Sequence, residues 1–337
     1  MRFEKLDLLR FVGLSMIILA HSSPGSVIFQ LRNFDVPLMV LLSGAVFGLS
    51  YKGENYFAYV WKRFKRLVLP VWVFLTVYFS AIYITGYQLN SVSYDVIFNT
   101  YALLSGIGYV WVIRVFLLVA LIAPVLYWLN KKQTSTSVYL VALLSIYLIY
   151  EFFVFTNSEL LEKAPESFTL QSIFLLVGYG CVFALGLRMP LLKTRAILLL
   201  AGFFFITFTS YLLYYIFTTG HLKYTQAFKY PPTGYYFSYA LFAGFILWVF
   251  SDRLYAYSVK IRLSKFILFI AKNSIWIYMW HIPLIQAVHL IWFVKFPIAL
   301  LGATLITYIQ VTVVTRFLEP RISNHVVRKN VHLVLTG

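Results

Sequence analysis

Apolar runs long enough to cross a membrane as helices recur along this chain, separated by short polar stretches. The first, Leu6–His21, reads LDLLRFVGLSMIILAH, and the second, about Asp35–Tyr51, follows the loop SSPGSVIFQLRN. A basic loop, Lys52 to Arg66, leads to a third run from Leu67 to about Ile84, with Pro70 in its first turn, where proline is tolerated. A polar loop around Gln88 to Ser93 follows, and the glycine-broken apolar residues 96–108 read as an interfacial segment. Further spans are expected at about Tyr109–Leu129, Val138–Phe155, Leu170–Leu187, Ala196–Phe217, Tyr236–Phe250, Ala271–Trp292 and Pro297–Leu318. The pattern therefore predicts an all-α, polytopic transmembrane helical bundle of about ten spans, one integral-membrane domain over 1–337 with no appended soluble domain. Arg2 and Lys5 before an apolar core would suit a cleaved leader, but Arg10 within the run and the lack of a small-x-small site favour a retained span.

Composition agrees, since 61% of the 337 residues are hydrophobic and only 12% are charged. A net charge of +17 would raise the question of nucleic acid, but its distribution argues otherwise. With the amino end inside, 21 of the 28 Lys and Arg fall in cytoplasmic segments, five outside (Arg32, Lys163, Lys223, Lys229, Lys295) and two within spans (Arg114, Lys272). That asymmetry is the positive-inside signature and places both termini in the cytoplasm. The acidic loop with Glu159, Glu162 and Glu166 then lies outside. The single cysteine, Cys181, excludes an intramolecular disulfide and a multi-cysteine metal site.

Four groups of residues could carry chemistry. Arg10 and His21 bracket ten uncharged residues; eleven helical steps bring them to within ~20° of one face and ~16 Å apart along the axis. Ionisable groups inside a span are costly and face a cavity or a partner, while an interfacial arginine with a headgroup histidine is the plain alternative. The run KRFKRLVLP places Lys62, Arg63, Lys65 and Arg66 at the inner mouth, where they could hold a phosphorylated ligand or simply anchor the topology. In NSIWIYMWHIPL, Ser274, Tyr278 and His281 are spaced i, i+4, i+7 and share a face, either as a site or as a polar glue between helices. Arg114 reaches a depth similar to Glu151, suggesting a structural pair or a grip on a hydroxyl-rich substrate. Ser43-Gly44 permits close helix approach, and the outer KYPPTGYY, with Lys229 and Tyr235, offers rings and hydroxyls suited to a sugar. No P-loop, HExxH, GxSxG or carboxylate-rich metal cluster is present. A histidine base with cationic phosphate binders suits acyl transfer from a phosphate-bearing donor to a hydroxyl.

In order along the chain, LDLLRFVGLSMIILAH, PLMVLLSGAVFG, KRFKRLVLP, VWVIRVFLLVALIAP and NSIWIYMWHIPL resemble the acyltransferase-3 family of bacterial membrane O-acyltransferases over essentially the whole sequence. The resemblance implies ten helices in the bacterial cytoplasmic membrane, an acyl-CoA co-substrate (usually acetyl-CoA) entering from the cytoplasm, and a surface sugar or lipid-linked glycan as acceptor. It implies His21 as the catalytic histidine, Arg10 as its essential partner, and Arg63 and Arg66, with Lys62 beside them, as binders of the CoA phosphates. Tyr278 and His281 match its pattern in the ninth span. Tyr278, His281, Arg114, Lys229 and Tyr235 are the expected acceptor-side residues, and no metal is expected. Asp35-Val36-Pro37 departs from the apolar or aromatic residues the family more often carries there, which leaves the role of Asp35 open. The competing class is a transporter or flippase for a lipid-linked saccharide, disfavoured because interrupted helices and inverted halves are not evident.

Overall fold

A computed structural model describes residues 3–86, 92–104, 106–157 and 168–337. The expected loop at Gln88 and the acidic residues Glu159, Glu162 and Glu166, with Lys163, lie outside the described residues. Among those described the chain is all-helical, and an isolated bridge between Lys229 and Pro232 is its one β contact. The helices are α1 Glu4–His21, α2 Ser26–Leu31, α3 Asp35–Ser50, α4 Tyr56–Thr85, α5 Tyr94–Tyr101, α6 Trp111–Lys132, α7 Thr136–Thr156, α8 Phe168–Arg188, α9 Thr194–Thr219, α10 Gly234–Lys260, α11 Ser264–Lys272, α12 Ser274–Ala287, α13 Trp292–Val313 and α14 His325–Thr336.

Among the described residues eight stretches are long and apolar enough to cross a membrane, and this is an integral membrane protein. Two of the ten expected spans fall short of that for physical reasons. Helix α1 holds Glu4, Lys5, Asp7 and Arg10 within its 18 residues. The expected ninth span is divided at Asn273, so that α12 has only 14 residues. The basic run before the third span is also helical rather than a loop. The Asn55 side chain caps α4 by accepting from the Phe57 and Ala58 amides (3.0 and 3.2 Å), so a 30-residue helix starts at Tyr56. Pro70 therefore sits deep inside α4, where its missing N–H takes the helical donor away from the Arg66 carbonyl.

The chain divides into two compact units: Met1–Ile17, Gly25–Gly53 and Leu121–Lys265 in one, Ile18–Pro24, Glu54–Ala120 and Phe266–Gly337 in the other. In the first, α3 and α8 meet backbone to backbone. A Cβ on Gly44 would stand 2.2 Å from the Phe183 carbonyl oxygen, and one on Gly186 would stand 2.1 Å from that of Leu41. Small residues allow this approach, which membrane helices use because lipid supplies no hydrophobic drive for their association. A buried polar staple secures the α2–α3 turn. Arg32 and Asp35 pair at 2.8 Å with side chains 3% and 2% exposed. Asn33 donates to Thr225 Oγ1, and Gln30 Oε1 accepts the Thr225 amide, both at 2.8 Å. Lys229 is buried beside them, and burial pushes its ammonium down to about 8 against the opposing pull of Asp35. Asp35, the departure noted in the sequence, is thus the counter-ion of Arg32. The second unit packs α12 against α4 and α13, with α14 lying across α4 and α13.

Replacing Gly186 by Leu should destabilise the protein by roughly 1–3 kcal/mol or more through forced separation of α3 and α8. Gly202→Leu should be near neutral, because nothing lies within 4 Å of a Cβ there. Thermal melting of the two variants in detergent checks the contrast.

Candidate active site

Helix α1 ends at His21, where the Ser22 hydroxyl turns back to the Ile18 carbonyl (3.1 Å) and Ser23 takes a φ of 58° that carries the chain away. His21 Nδ1 lies 2.8 Å from His281 Nε2, with the two rings nearly parallel (14°). His281 is fully buried in α12, and its Nδ1 meets the carbonyl of Tyr278 one turn earlier. That carbonyl can only accept, so His281 Nδ1 carries the proton and, in the uncharged pair, His281 Nε2 is an acceptor. His21 Nδ1 must then donate to it, and the basic lone pair of His21 sits on Nε2. The tautomers follow from one backbone oxygen.

A third ring completes the cluster. Tyr109 stands edge-on to His21 at 4.8 Å and 80°, and to His281 at 6.0 Å and 86°. Its backbone carbonyl accepts the Tyr278 hydroxyl at 2.6 Å, so Tyr278 ties α12 to the segment that delivers Tyr109. That segment is tightly wound: Leu103, Gly106 and Gly108 have φ of 58°, 45° and 82°, and a Cβ on Gly106 would meet Thr100 Oγ1 at 2.1 Å. Thr100 Oγ1 also accepts the Ile107 amide at 3.1 Å. Left-handed backbone at a non-glycine residue is uncommon and costs energy, which the contacts of Thr100 with this turn help to offset.

Of the residues singled out in the sequence, the structure brings His21, Tyr278 and His281 together in the second unit. Tyr109 was not among them; the glycines of GIGY were its one signal. In the same unit Lys62 pairs with Glu54, the Arg63 guanidinium lies 5.1 Å from the Tyr59 ring, and Arg66 is exposed one turn further on. Arg114 is buried early in α6. In the first unit, Arg10 donates to Asp7 Oδ1 at 2.9 Å, one turn back on α1. Tyr235 is also buried there; its hydroxyl donates to the Lys223 carbonyl at 2.8 Å and its ring stacks on Phe208. Lys229 lies near the rings of Tyr230 and Tyr236, at 5.9 and 5.8 Å. Glu151 accepts the Gly234 amide on both oxygens (3.0 and 2.9 Å) and so caps α10. Among the described residues no group of His, Cys, Asp and Glu is placed to hold a metal ion.

The model of a protein family described as an acyltransferase domain matches residues 3–316. No curated protein and no solved structure matches the chain.

Nitrogen-15 NMR of histidine-labelled protein should show His21 and His281 both as the Nδ1–H tautomer. Replacing His281 by Leu, with loss of its signals, should shift the His21 Nδ1 resonance; an Nε2–H tautomer at His281 would contradict the assignment.

Proposed function

The chain belongs to the acyltransferase-3 family, and from that premise we propose that this membrane acyltransferase moves an acetyl group from cytoplasmic acetyl-CoA to a hydroxyl of a surface or lipid-linked sugar. The observation that supports this reading best is the 2.8 Å His21–His281 hydrogen bond, whose direction puts the lone pair on His21 Nε2. In this reading Nε2 takes the acceptor's proton as the hydroxyl oxygen attacks the thioester carbonyl. The tetrahedral intermediate then expels the thiolate, which recovers that proton from His21, leaving an ester and free CoA thiol. The same nitrogen serves a two-step route in which it attacks the thioester carbonyl and expels the CoA thiolate, and the acceptor hydroxyl then takes the acetyl group from it while its proton passes to the thiolate, again leaving an ester and free CoA thiol. In both routes His281 accepts from Nδ1 and keeps the ring oriented, so positioning contributes along with basicity.

Lys62, Arg63 and Arg66 are assigned to the donor phosphates, and Arg10, held by Asp7, to the residues required with His21. Acceptor recognition falls to Arg114, while Tyr278 and His281, whose polar atoms are engaged with Tyr109 and His21, hold the site in shape, and Lys229 and Tyr235 order the 223–235 segment. The charge asymmetry of the loops supports ten spans with both termini in the cytoplasm, in the cytoplasmic membrane of a bacterium.

Transfer of label from radioactive acetyl-CoA, measured in membranes with matched expression, tests the reading. His21→Ala should lower kcat by about 10²–10⁴, while Arg63→Ala should raise KM for acetyl-CoA with kcat largely kept. Equal transfer by His21→Ala and wild type would reject the catalytic assignment. A wild type that transfers no label, although a surface glycan depends on the protein, would point to a saccharide carrier instead.

A further inference from the structure

In the first unit α7 packs on α8 and α9 packs on α10, and a groove of about 370 Å³ opens between α7 and α9. Its walls run from Leu140 to Glu151 on α7 and from Leu200 to Tyr211 on α9, with α8 and α10 as its floor. Each wall spans eleven helical steps, ~16 Å, about half of the ~30 Å hydrocarbon core of a bilayer. The groove thus has the length of one leaflet's lipid chain. Val141, Leu144, Leu148 and Phe203 line it and are exposed, so its mouth faces sideways into the membrane. Helices α7 and α9 are also the least buried of the eight apolar spans.

The polar character of the groove is confined to one end. Thr207 and Ser238 line it too, but their hydroxyls donate to the Phe203 and Tyr235 carbonyls of their own helices, at 2.9 and 3.0 Å. That leaves the partly exposed Glu151, with Tyr147 and Tyr211 beside it. Its carboxylate shares the one Gly234 amide between its two oxygens and accepts the Tyr211 hydroxyl at 3.4 Å, with the Tyr147 hydroxyl adjoining. A carboxylate has about four lone-pair positions, so a further donor can be accepted. No Lys, Arg or His is among the described residues that line the groove. A phosphate head would therefore meet a carboxylate with no lining cation to offset the repulsion. Neutral hydroxyls meet no such penalty, and the two tyrosine rings offer flat apolar faces to a sugar.

We propose that this groove holds an acyl chain of a neutral glycolipid, with hydroxyls of its sugar donating to Glu151. In its choice of head group this rests on the sugar-acceptor reading above, which it narrows to a sugar carried on an acyl chain. In the topology proposed there Glu151 lies toward the outer end of α7, the side from which a surface glycolipid arrives. A chain already surrounded by hydrocarbon gains little by entering an apolar groove, so selection among lipids falls to the polar end.

Native mass spectrometry of the full-length protein, in a polyoxyethylene detergent that has no sugar head, tests this with two lipids sharing the same chains, dioleoyl glucosylglycerol and dioleoyl phosphatidylglycerol. Wild type should bind the glucosyl lipid about tenfold more tightly or better, at ~1.4 kcal/mol per factor of ten. Glu151→Gln, which keeps an oxygen for the Gly234 amide, should lose most of that preference. Leu144→Trp, which fills the groove from its mouth, should weaken binding of the glucosyl lipid about tenfold. Leu199→Trp, exposed on α9 but outside the groove, should leave it unchanged. Equal affinity of wild type for the two lipids, or an undiminished preference in Glu151→Gln, would overturn the inference; transfer of acetyl label to methyl glucoside by that same wild type would leave the sugar-acceptor reading standing. Selective binding by a wild type that acetylates neither the glucosyl lipid nor methyl glucoside would support the groove and overturn the acceptor reading instead.

Discussion

An imidazole in an apolar bundle has two nitrogens to satisfy and no water to do it, so its neighbours decide its chemistry. Here the decisive neighbour is the Tyr278 carbonyl. A backbone oxygen does not titrate and cannot donate, so it sets the polarity of everything beyond it: His281 Nδ1 donates, His281 Nε2 accepts, and His21 Nδ1 donates in turn. The basic atom of His21 is therefore fixed by a peptide group on another helix, one turn from the histidine that relays the effect. The same tyrosine residue works twice, since its hydroxyl holds the Tyr109 carbonyl and with it the ring that packs against His21.

Such a relay needs α12 to be held in place, and its other faces show how. Trp276 and Trp280 both leave α12 as donors, one to the last turn of α14 and one to Gln310 on α13. Phe74 of α4 packs against Trp280 at 5.4 Å. Indole groups combine a large apolar body with a single N–H, so each adds packing and one directional bond. The first unit solves a comparable problem with opposite means, removing side chains at Gly44 and Gly186 where helices touch and placing a buried ion pair where the chain turns between α2 and α3. Replacing one partner of that pair would strand the other charge in the interior, which typically costs ~3–5 kcal/mol.

Much of this was legible from residue order. Hydropathy locates the eight apolar helices, and helical periodicity alone puts Tyr278 and His281, spaced i and i+3, on one face of α12. The approach allowed by Gly44 was readable too, because a glycine inside an apolar span has few other uses. What the sequence hid was non-local or set by caps. Hydropathy starts the third span at Leu67, whereas one asparagine, Asn55, starts α4 at Tyr56 and turns a loop of anchoring charges into an ordered cationic helix face. Tyr109 escaped notice because a tyrosine near a span's end has an ordinary explanation at a membrane interface. Its contact with His21 depends on a turn with three left-handed residues, one of them a leucine. Nor does any local pattern announce that His21 and His281, 260 residues apart, share a hydrogen bond.

The two expected spans that fall short in length or apolarity are the two that carry the histidines. Helix α1 is too charged, with Asp7 holding Arg10 within it, and α12 is too short, cut at Asn273. A span without such a role can be largely apolar, as α9 is. A span that carries chemistry must admit polar groups, pair them, and end where a reactive side chain is needed, the role proposed for His21 at the end of α1. Each of these requirements lowers its hydropathy. In a chain of this kind the helices that composition ranks lowest as membrane spans are therefore the first place to look for the reaction, provided that each polar group within them can be matched to a partner.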